Sequence, residues 1–375
     1  MHRQRFSVLV MTIVAFISVS AAFGEVIDSL VRGMSPEEKA GQMILVYYSP
    51  FDFLEKHRVG GVLIMQHMLK KPEVLRQELH HAQTRLPIPL LVTIDQEGGS
   101  VNRLSALPGY KNLPSAANIS GWSPDSIEWH AVRMAEKLAW LGVNINLAPV
   151  LDPTVNAQNQ ITFMGIKKRS FGDGVDQIVP AAGAFIRGFS RHGVRCIAKH
   201  FPGYDVTTNS DLEISYSQAD SQAISGYAGV FRAMDSLIDG VMMNSIRYHQ
   251  ADDIPAVLSS QMVSRARNGN DDLIVMTDDL YGESLRRFML GDSLKNYRKV
   301  YPDSVFATLV ERAVLAGNDM LMITFPQKVP IMVDVITSLA AIDPVIANQV
   351  DKAVCRILNV KAKLGLLEVP AGVGQ

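Results

Sequence analysis

The sequence predicts an α/β fold, a single (β/α)8 barrel of the TIM type, and three observations favour it. About eight short apolar runs recur along the chain, and each is apolar on both faces, as buried strands of a parallel sheet are. Helical patterns lie between these runs, in the alternation that a barrel requires. No linker rich in Pro, Gly or Ser divides the chain, so we expect one barrel domain over residues 25–375.

Composition and charge agree with one large globular domain. The 375 residues carry a net charge of −1, and 47% of them are hydrophobic. Such a chain can bury a sizeable core, and its balanced charge argues against nucleic acid as a partner. The two cysteines, Cys196 and Cys355, lie in apolar patterns that indicate small core residues rather than a disulfide framework.

The N-terminus has the pattern of a secretory signal peptide. Residues 1–5 are basic, residues 6–19 are apolar and uncharged, and Ala22 and Gly24 supply small residues for cleavage after Gly24. The alternative is an uncleaved membrane anchor, but the apolar stretch is short for a membrane span. We therefore expect the segment 1–24 to be removed. The protein would then be exported, either periplasmic or secreted, without stable membrane insertion.

The elements of the predicted barrel can be taken in chain order. Its first helix begins at a capping box, in which Ser35 precedes Pro36 and is followed by Glu38 three residues later. The clearest helical patterns then cover residues 126–141, 175–192 and 305–316, and a last helix runs from Asp343-Pro344 to about Leu364. The predicted strands cover residues 43–48, 60–65, 89–95, 143–152, 193–201, 240–248, 273–279 and 319–324.

Polar side chains are concentrated where the apolar runs end. In a TIM barrel, the carboxyl ends of the strands carry the active site. Each residue also has a structural alternative, since an Asp can cap the next helix and Lys199 can pair with a neighbouring acid. Together they favour a functional site, because unpaired buried charge is too costly to accumulate by chance. The residues are Asp95, Asp152, Lys199, His200, Asn244, Asp278 and Asp279.

Several segments, in the same order, resemble a known enzyme family. The most specific is residues 94–103, IDQEGGSVNR, and further matches lie at residues 146–152, 169–172, 198–203 and 276–280. The first is similar to the D-Q-E-G-G-x-V-x-R segment of the β-N-acetylhexosaminidase branch of glycoside hydrolase family 3. The resemblance covers nearly the whole chain after the signal segment. It implies a family 3 catalytic barrel.

The resemblance implies a reaction and a set of site residues. The reaction is release of terminal N-acetylglucosamine from peptidoglycan fragments or chitin-like oligosaccharides, by a retaining, two-step covalent mechanism with no cofactor or metal. Asp278 matches the family nucleophile, with the adjacent Asp279 as the alternative. Arg103 and Arg169 could instead form structural ion pairs across the barrel mouth. The implied substrate-binding residues are Asp95, Arg103, Arg169, Lys199 and His200.

The loop after residues 198–203 departs from the family pattern. In the hexosaminidase branch this loop carries a His that works with an Asp as general acid/base, whereas residues 204–213 here contain no His. Aligning Asp211 with the family Asp places Glu213 at the His position, and an ungapped alignment places Leu212 there. We therefore predict that Glu213, together with Asp211, supplies the acid/base, because carboxyls do so in most glycosidases.

Three alternative functions follow from these features. One is a family 3 hydrolase of the β-glucosidase type. Another is a glycan-binding barrel that has lost catalysis together with the loop His. The third is a barrel enzyme for a phosphorylated metabolite, which the export signal and the lack of a Gly-rich phosphate loop after the last two strands disfavour.

Overall fold

The computed structural model describes residues 24–291 and 301–367. The predicted signal peptide, residues 1–24, lies outside the described residues except for Gly24. None of the described helices is both long and apolar enough to cross a membrane.

The eight parallel strands of the described chain form one sheet that closes into a barrel, so the predicted fold class is confirmed. The sheet order is β7-β6-β5-β4-β3-β2-β1-β8, which follows the chain around the barrel without a reversed strand. A parallel bridge between Met276 and Met320 closes the ring between β7 and β8. The strands are β1 (Ile44–Tyr47), β2 (Gly61–Ile64), β3 (Leu91–Ile94), β4 (Ile145–Asn146), β5 (Arg195–Phe201), β6 (Gly240–Met243), β7 (Ile274–Thr277) and β8 (Leu321–Ile323).

All eight strands are shorter than their apolar runs predict, and two differ from the prediction most. The run 143–152 gives only the two residues of β4, because Pro149 has no N–H to donate and the chain leaves the sheet before it. The run 240–248 ends as β6 at Met243, and Arg247–Tyr248 pairs instead with Tyr216–Ser217 in a separate two-stranded sheet. Apolar composition therefore located these strands but overestimated their length.

Helices surround the barrel, and the predicted ones are all present. The capping box of α2 is formed, since Glu38 N donates to Ser35 Oγ at 3.2 Å and Ser35 N donates to Glu38 Oε2 at 2.9 Å. The described helices are α1 (residues 24–33), α2 (Pro36–Gln42), α3 (Phe51–His57), α4 (Pro72–Arg85), α5 (Ala116–Ile119), α6 (Pro124–Leu141), α7 (Phe163–Ile166), α8 (Gly174–Ser190), α9 (Ser221–Met234), α10 (Ser260–Arg267), α11 (Glu283–Leu290), α12 (Asp303–Leu315), α13 (Val329–Ile342) and α14 (Pro344–Lys363).

The two cysteines are free thiols in different surroundings. Cys196 lies in β5 and is fully buried in the core, as predicted. Cys355 is only half-buried, because α14 packs on the outside of the barrel, and its Sγ lies 3.6 Å from Asp28 Oδ1 of α1. The prediction of a core residue is therefore correct for Cys196 and too strong for Cys355.

Candidate active site

A lysine held between two acids lies at the carboxyl end of β3. Asp95 follows β3 directly, and Glu97 belongs to a short antiparallel hairpin of Gln96–Gly98 with Val101–Asn102. Lys199, buried on β5, donates from Nζ to Asp95 Oδ1 at 2.6 Å and lies 2.8 Å from Glu97 Oε1. Burial alone would lower the pKa of this lysine, but the two carboxylates raise the pKa of Lys199, so it remains charged.

Two arginines extend this cluster across the barrel mouth. Arg169 donates from Nε and Nη2 to the two oxygens of Glu97, both at 2.9 Å, and Arg103 Nη2 lies 3.6 Å from Asp95 Oδ2. Burial would raise the pKa of Glu97, but Arg169 and Lys199 lower it to about 2. The ion pairs considered as the structural alternative are thus formed. Three cations face two carboxylates, which leaves hydrogen-bond donors for an oxygen-rich ligand.

The two glycines after Glu97 bring a distant loop onto the hairpin. Gly98 and Gly99 have φ angles of +95° and +57°, a backbone region that favours glycine. A Cβ on Gly98 would lie 2.3 Å from Pro114 O, and one on Gly99 would lie 2.6 Å from Ser115 Cβ. The paired glycines of the E-G-G segment therefore fix the position of Glu97 by close packing.

The end of β5 presents two consecutive side chains to the site. In the ladder with β6, Lys199 pairs with Met242 and Phe201 pairs with Met243, so the register skips His200. The usual alternation of side chains across a strand is interrupted at such a bulge. As a result, Lys199 and His200 both reach carboxylates at the barrel mouth.

Asp152 orients His200 through contacts with its ring and its backbone. Its Oδ2 lies 2.7 Å from His200 Nδ1, and its Oδ1 accepts from the backbone N–H groups of His200 at 3.0 Å and Tyr204 at 2.8 Å. Asp152 is fully buried. It therefore does not cap a following helix, and its role is to fix the imidazole and the turn after β5.

Adjacent carboxylates at the end of β7 have different partners. Asp279 accepts from Thr324 N and Tyr281 N, both at 3.0 Å, and from Thr324 Oγ1. Asp278 accepts from Asp279 N at 2.7 Å, and its second oxygen has no hydrogen-bond partner among the described side chains. Asp279 is therefore occupied by structural bonds, whereas Asp278 has an oxygen available for chemistry.

Burial and a neighbouring carboxylate set the charge of Asp278. Desolvation and the Asp211 carboxylate raise the pKa of Asp278 to about 6, and His200 and Lys199 partly oppose this effect. Asp278 thus lies within electrostatic range of the cluster on β3 and β5 and of the loop after β5. The structure brings the predicted nucleophile and the predicted sugar-binding residues to one barrel mouth.

The loop over residues 204–213 carries three carboxyl groups, of which two are exposed and one is buried. Asp211 is exposed, and its carbonyl oxygen accepts from the N–H of Glu283 at 3.1 Å, which ties the loop to the start of α11. Glu213 is also exposed. Asp205 is buried against Ser217, whose Oγ donates to it at 2.6 Å, and burial raises the pKa of Asp205 to about 6. Of the three, Asp211 is the carboxylate with the strongest effect on Asp278.

Sequence reasoning assigned no role to three residues that the structure places at the site. Glu97 lies in the quoted D-Q-E-G-G segment, and Asp152 was noted only as a strand-end acid. Tyr47, at the end of β1, has a pKa raised by burial and by nearby Asp279, despite the opposing charge of Arg103. Position at a strand end was the available signal for Tyr47 and Asp152. Only the three-dimensional ion pairs reveal what Glu97 does.

No metal centre is built into the residues that the structure describes. Residues 24–291 and 301–367 contain no group of three His, Cys, Asp or Glu side chains arranged to hold an ion. The acids Asp95 and Glu97 are instead neutralised by Lys199 and the two arginines.

Comparison with known proteins agrees with this fold. The family model described as glycosyl hydrolase family 3 N terminal domain matches residues 36–360, and the chain therefore belongs to that family. A solved structure of the beta-N-acetylhexosaminidase from Beutenbergia cavernae is 26% identical, with a TM-score of 0.72. The match covers 88% of this chain and 99% of that one.

Two relatives of known sequence align with this chain over part of their length. A beta-hexosaminidase of Histophilus somni is 31% identical over 221 residues, which cover 56% of this chain and 60% of that protein. This alignment thus spans less than two thirds of the relative. A beta-hexosaminidase of Actinobacillus pleuropneumoniae is 28% identical over 284 residues, which cover 72% of this chain and 76% of that protein.

Proposed function

We propose that this protein is a retaining glycoside hydrolase that releases terminal N-acetyl-β-hexosamine, with Asp278 as nucleophile. The observation that carries the proposal is the contrast at the end of β7. Asp279 is held by Thr324 and Tyr281, whereas one oxygen of Asp278 has no hydrogen-bond partner among the described residues. A strand-end carboxylate beside several charged donors suits attack on an anomeric carbon. The names of the relatives, beta-hexosaminidases, support the same class of substrate.

The proposed reaction has two displacement steps. In the first, a carboxylate oxygen of Asp278 bonds to the anomeric carbon, the glycosidic C–O bond breaks, and an acid gives its proton to the departing oxygen. In the second, water bonds to the same carbon, its proton passes to the conjugate base, and the bond to Asp278 breaks. Asp278 must be ionised at the start, which requires a pH above its raised pKa of about 6.

The charged cluster would hold the terminal sugar. Asp95 accepts from sugar hydroxyls, and the donors are Arg103, Arg169, Lys199 and His200. Because these donors are already fixed by Asp95, Glu97 and Asp152, they need little reorganisation when substrate binds. The ion pairs and the sugar-binding role are therefore compatible.

A carboxyl of the loop 204–213 is our candidate for the acid/base in place of the family His. Asp211 acts on Asp278 electrostatically, and Glu213 lies two residues further along the same exposed turn. Retention requires the two carboxyls to approach to about 5–5.5 Å, which movement of this loop over the sugar would allow. Glu213 remains our sequence-based choice, with Asp211 as its partner.

Export and the natural substrate complete the proposal. The signal-like segment 1–24 supports an exported enzyme that trims peptidoglycan fragments or chitin-like oligosaccharides. A glycan-binding barrel without catalysis is the second candidate, because the loop 204–213 lacks the His of the branch.

The test is a panel of nitrophenyl glycosides. We expect hydrolysis of the N-acetyl-β-glucosaminide well above that of the β-glucoside, and loss of at least about 10³-fold in Asp278→Asn because a covalent step is removed. A preference for the glucoside would contradict the substrate class. Inactivity on every glycoside, with measurable binding of N-acetylglucosamine, would favour the binding barrel.

A further inference from the structure

All three tryptophans of the chain lie within residues 122–140, on or beside α6. Trp122 is 43% exposed and Trp129 is 63% exposed, although large aromatic side chains are normally well buried. Together they border a groove of about 500 Å³ and an adjoining open hollow of about 630 Å³. We call this region the tryptophan groove, and its polar and aromatic lining includes Lys111, Asn112, Trp122, Trp129, His130 and Arg133.

A hydrogen bond joins the two walls of the tryptophan groove, which are a loop and helix α6. Tyr110, in the loop that forms one wall, donates from Oη to the carbonyl oxygen of Arg133 on α6 at 3.2 Å. His130 lines the groove and is 4% exposed, and its Nε2 has no hydrogen-bond partner among the described residues. The Trp122 ring contacts His130 edge-on, with 5.8 Å between centroids. An unpaired buried polar atom in a groove wall is costly unless a ligand or water supplies a partner.

The tryptophan groove lies at the same end of the barrel as the candidate active site. A helix that leads into a parallel barrel strand begins at the carboxyl end of the sheet, and α6 leads into β4. The loop wall also joins the hairpin that carries Glu97, since Gly99 N donates to Leu113 O at 3.0 Å and Asn102 Nδ2 donates to Tyr110 O at 2.8 Å. A chain held in the groove therefore lies beside the mouth that contains Asp95.

We propose that the tryptophan groove is a second binding site for β-linked N-acetylhexosamine chains, separate from the residues that hold the terminal sugar. The inference takes its ligand class from the proposed function. Exposed indoles stack on the apolar C–H faces of pyranose rings, and the exposed Asn112, Ser123 and Asp125 can bond to hydroxyl and acetamido groups. The groove would keep the enzyme on a polymer while the barrel mouth processes chain ends.

The apolar area of the tryptophan groove favours a glycan over a protein partner. The two indoles are 43% and 63% exposed, so each offers only part of the roughly 150–250 Å² that a fully buried aromatic side chain covers. Their combined area is well below the roughly 800 Å² per partner of a stable protein interface. An open groove with charged and hydroxyl-bearing edges instead fits an extended polar chain. Lys111 and Arg133 bring two positive charges to the groove, with the Arg133 guanidinium 5.3 Å from the centre of the Trp129 ring, and Asp125 brings one negative charge to the adjoining hollow. The net positive charge would favour strands that carry carboxylates, as peptidoglycan does, over neutral chitin.

The test measures retention of the full chain on colloidal chitin and on purified peptidoglycan, in an Asp278→Asn background that prevents hydrolysis. Polymers expose few chain ends, so retention reports mainly a site for internal sugars. We expect Trp122→Ala and Trp129→Ala each to weaken retention by about tenfold, the loss of one stacking contact. Trp140→Ala is the matched control, since that ring lies outside the groove and has Lys137 Nζ 3.6 Å from its centroid.

The outcomes separate this inference from the proposed function. Retention on either polymer that depends on Trp122 and Trp129, but not on Trp140, supports the groove, and the preferred polymer identifies a charged or a neutral strand. No retention on either polymer, or equal loss in all three variants, overturns it. Hydrolysis of a nitrophenyl N-acetylglucosaminide, measured in parallel without the Asp278→Asn change, should be unaffected by the groove variants. If the protein does not hydrolyse this glycoside, the proposed function is wrong, whereas the inference about the groove still depends on the retention measurements.

Discussion

At the scale of single residues, the charge state of Asp278 links the geometry to the chemistry. Burial and the Asp211 carboxylate raise the pKa of Asp278 to about 6, so this proposed nucleophile is protonated in most molecules below that pH. A nucleophile must be ionised, and kcat/KM reports the ionisations of the free enzyme. The acidic limb of kcat/KM should therefore lie near pH 6, with activity rising as the pH increases through it.

Asp211→Asn tests this electrostatic link. Removing a negative charge lowers the pKa of Asp278, so the acidic limb of kcat/KM should move to lower pH even if the rate falls. Glu213→Gln is the matched control on the same loop and should move the limb less. The profiles are measured with an activated aryl glycoside, and an unmoved limb in Asp211→Asn would show that the two carboxylates do not interact.

The same pair of variants identifies the acid/base. Loss of a catalytic acid slows a poor leaving group far more than an activated one, because only the poor leaving group needs the proton. We expect Glu213→Gln to show this difference together with partial rescue by azide. If Glu213→Gln leaves both substrates unchanged while Asp211→Asn shows the difference, Asp211 is the acid and the sequence-based choice is wrong.

Glu97 contributes to stability through its buried ion pairs. Glu97→Gln leaves Arg169 and Lys199 without a shared carboxylate, and breaking a buried pair costs about 3–5 kcal/mol. Glu128→Gln is the control, because Glu128 also meets two arginines, Arg187 and Arg191, but these are largely exposed and such pairs contribute about 0–1 kcal/mol. Urea denaturation gives both values, and equal losses would contradict the assigned difference.

The stabilisation from Glu97 also has a defined pH dependence. Its pKa falls from 4.5 to about 2 on folding, so the folded state favours the ionised form. This contribution is complete above the unfolded value and is lost as the pH falls toward 2. The advantage of the wild type over Glu97→Gln should therefore shrink in acid and be constant near neutral pH.

At the scale of elements, the hairpin after β3 connects packing with function. Gly98→Ala would place a Cβ 2.3 Å from Pro114 O at a φ of +95°, so the hairpin that carries Glu97 must shift. We expect a loss of at least about 2 kcal/mol in stability and a fall in activity. Melting temperature and hydrolysis of an aryl glycoside are the measurements.

Gly226 provides the control for that substitution. It is exposed within α9, and a Cβ there meets no atom within 4 Å. Gly226→Ala should stabilise the protein by about 0.5–1 kcal/mol, since alanine favours a helix over glycine. Destabilisation by Gly226→Ala equal to that of Gly98→Ala would mean that close packing at the hairpin is not the cause.

At the scale of the whole molecule, periodicity predicted the architecture and only part of the site. Buried strands and strand-end residues such as Asp95, Lys199 and Asp278 carry local signals, because alternation of apolar runs with helices determines where a barrel mouth lies. The hydrogen-bond and ion-pair partners of these residues, however, lie far away in the sequence. The bonds of Asp152 to His200, and of Glu97 to Arg169 and Lys199, join segments far apart in sequence.

Two other features could not be predicted from the sequence, because each depends on contacts between separate segments. The arrangement of the carboxyls in residues 204–213 depends on loop contacts, such as the bond from Glu283 N to Asp211 O, that no periodic pattern specifies. Trp122 and Trp129 give no sequence signal of a groove, because its other wall comes from a separate loop at residues 109–114.

Export is a prediction about the whole chain. The segment 1–24 should direct the protein out of the cytoplasm and be cleaved after Gly24. N-terminal sequencing of the protein from a periplasmic or culture fraction should begin at Glu25. Recovery of the intact chain in the cytosolic fraction would contradict export, and the intact chain in membranes would indicate an anchor.

The central claim is that Asp278 forms a covalent bond to the sugar, and trapping tests it most directly. A fluorinated N-acetylglucosamine analogue with a good leaving group should accumulate as a glycosyl-enzyme, because fluorine slows its hydrolysis. Peptide mapping is then expected to place the label on Asp278, with none in Asp278→Asn. A label on Asp279, or turnover of substrate with no label at all, would contradict this account.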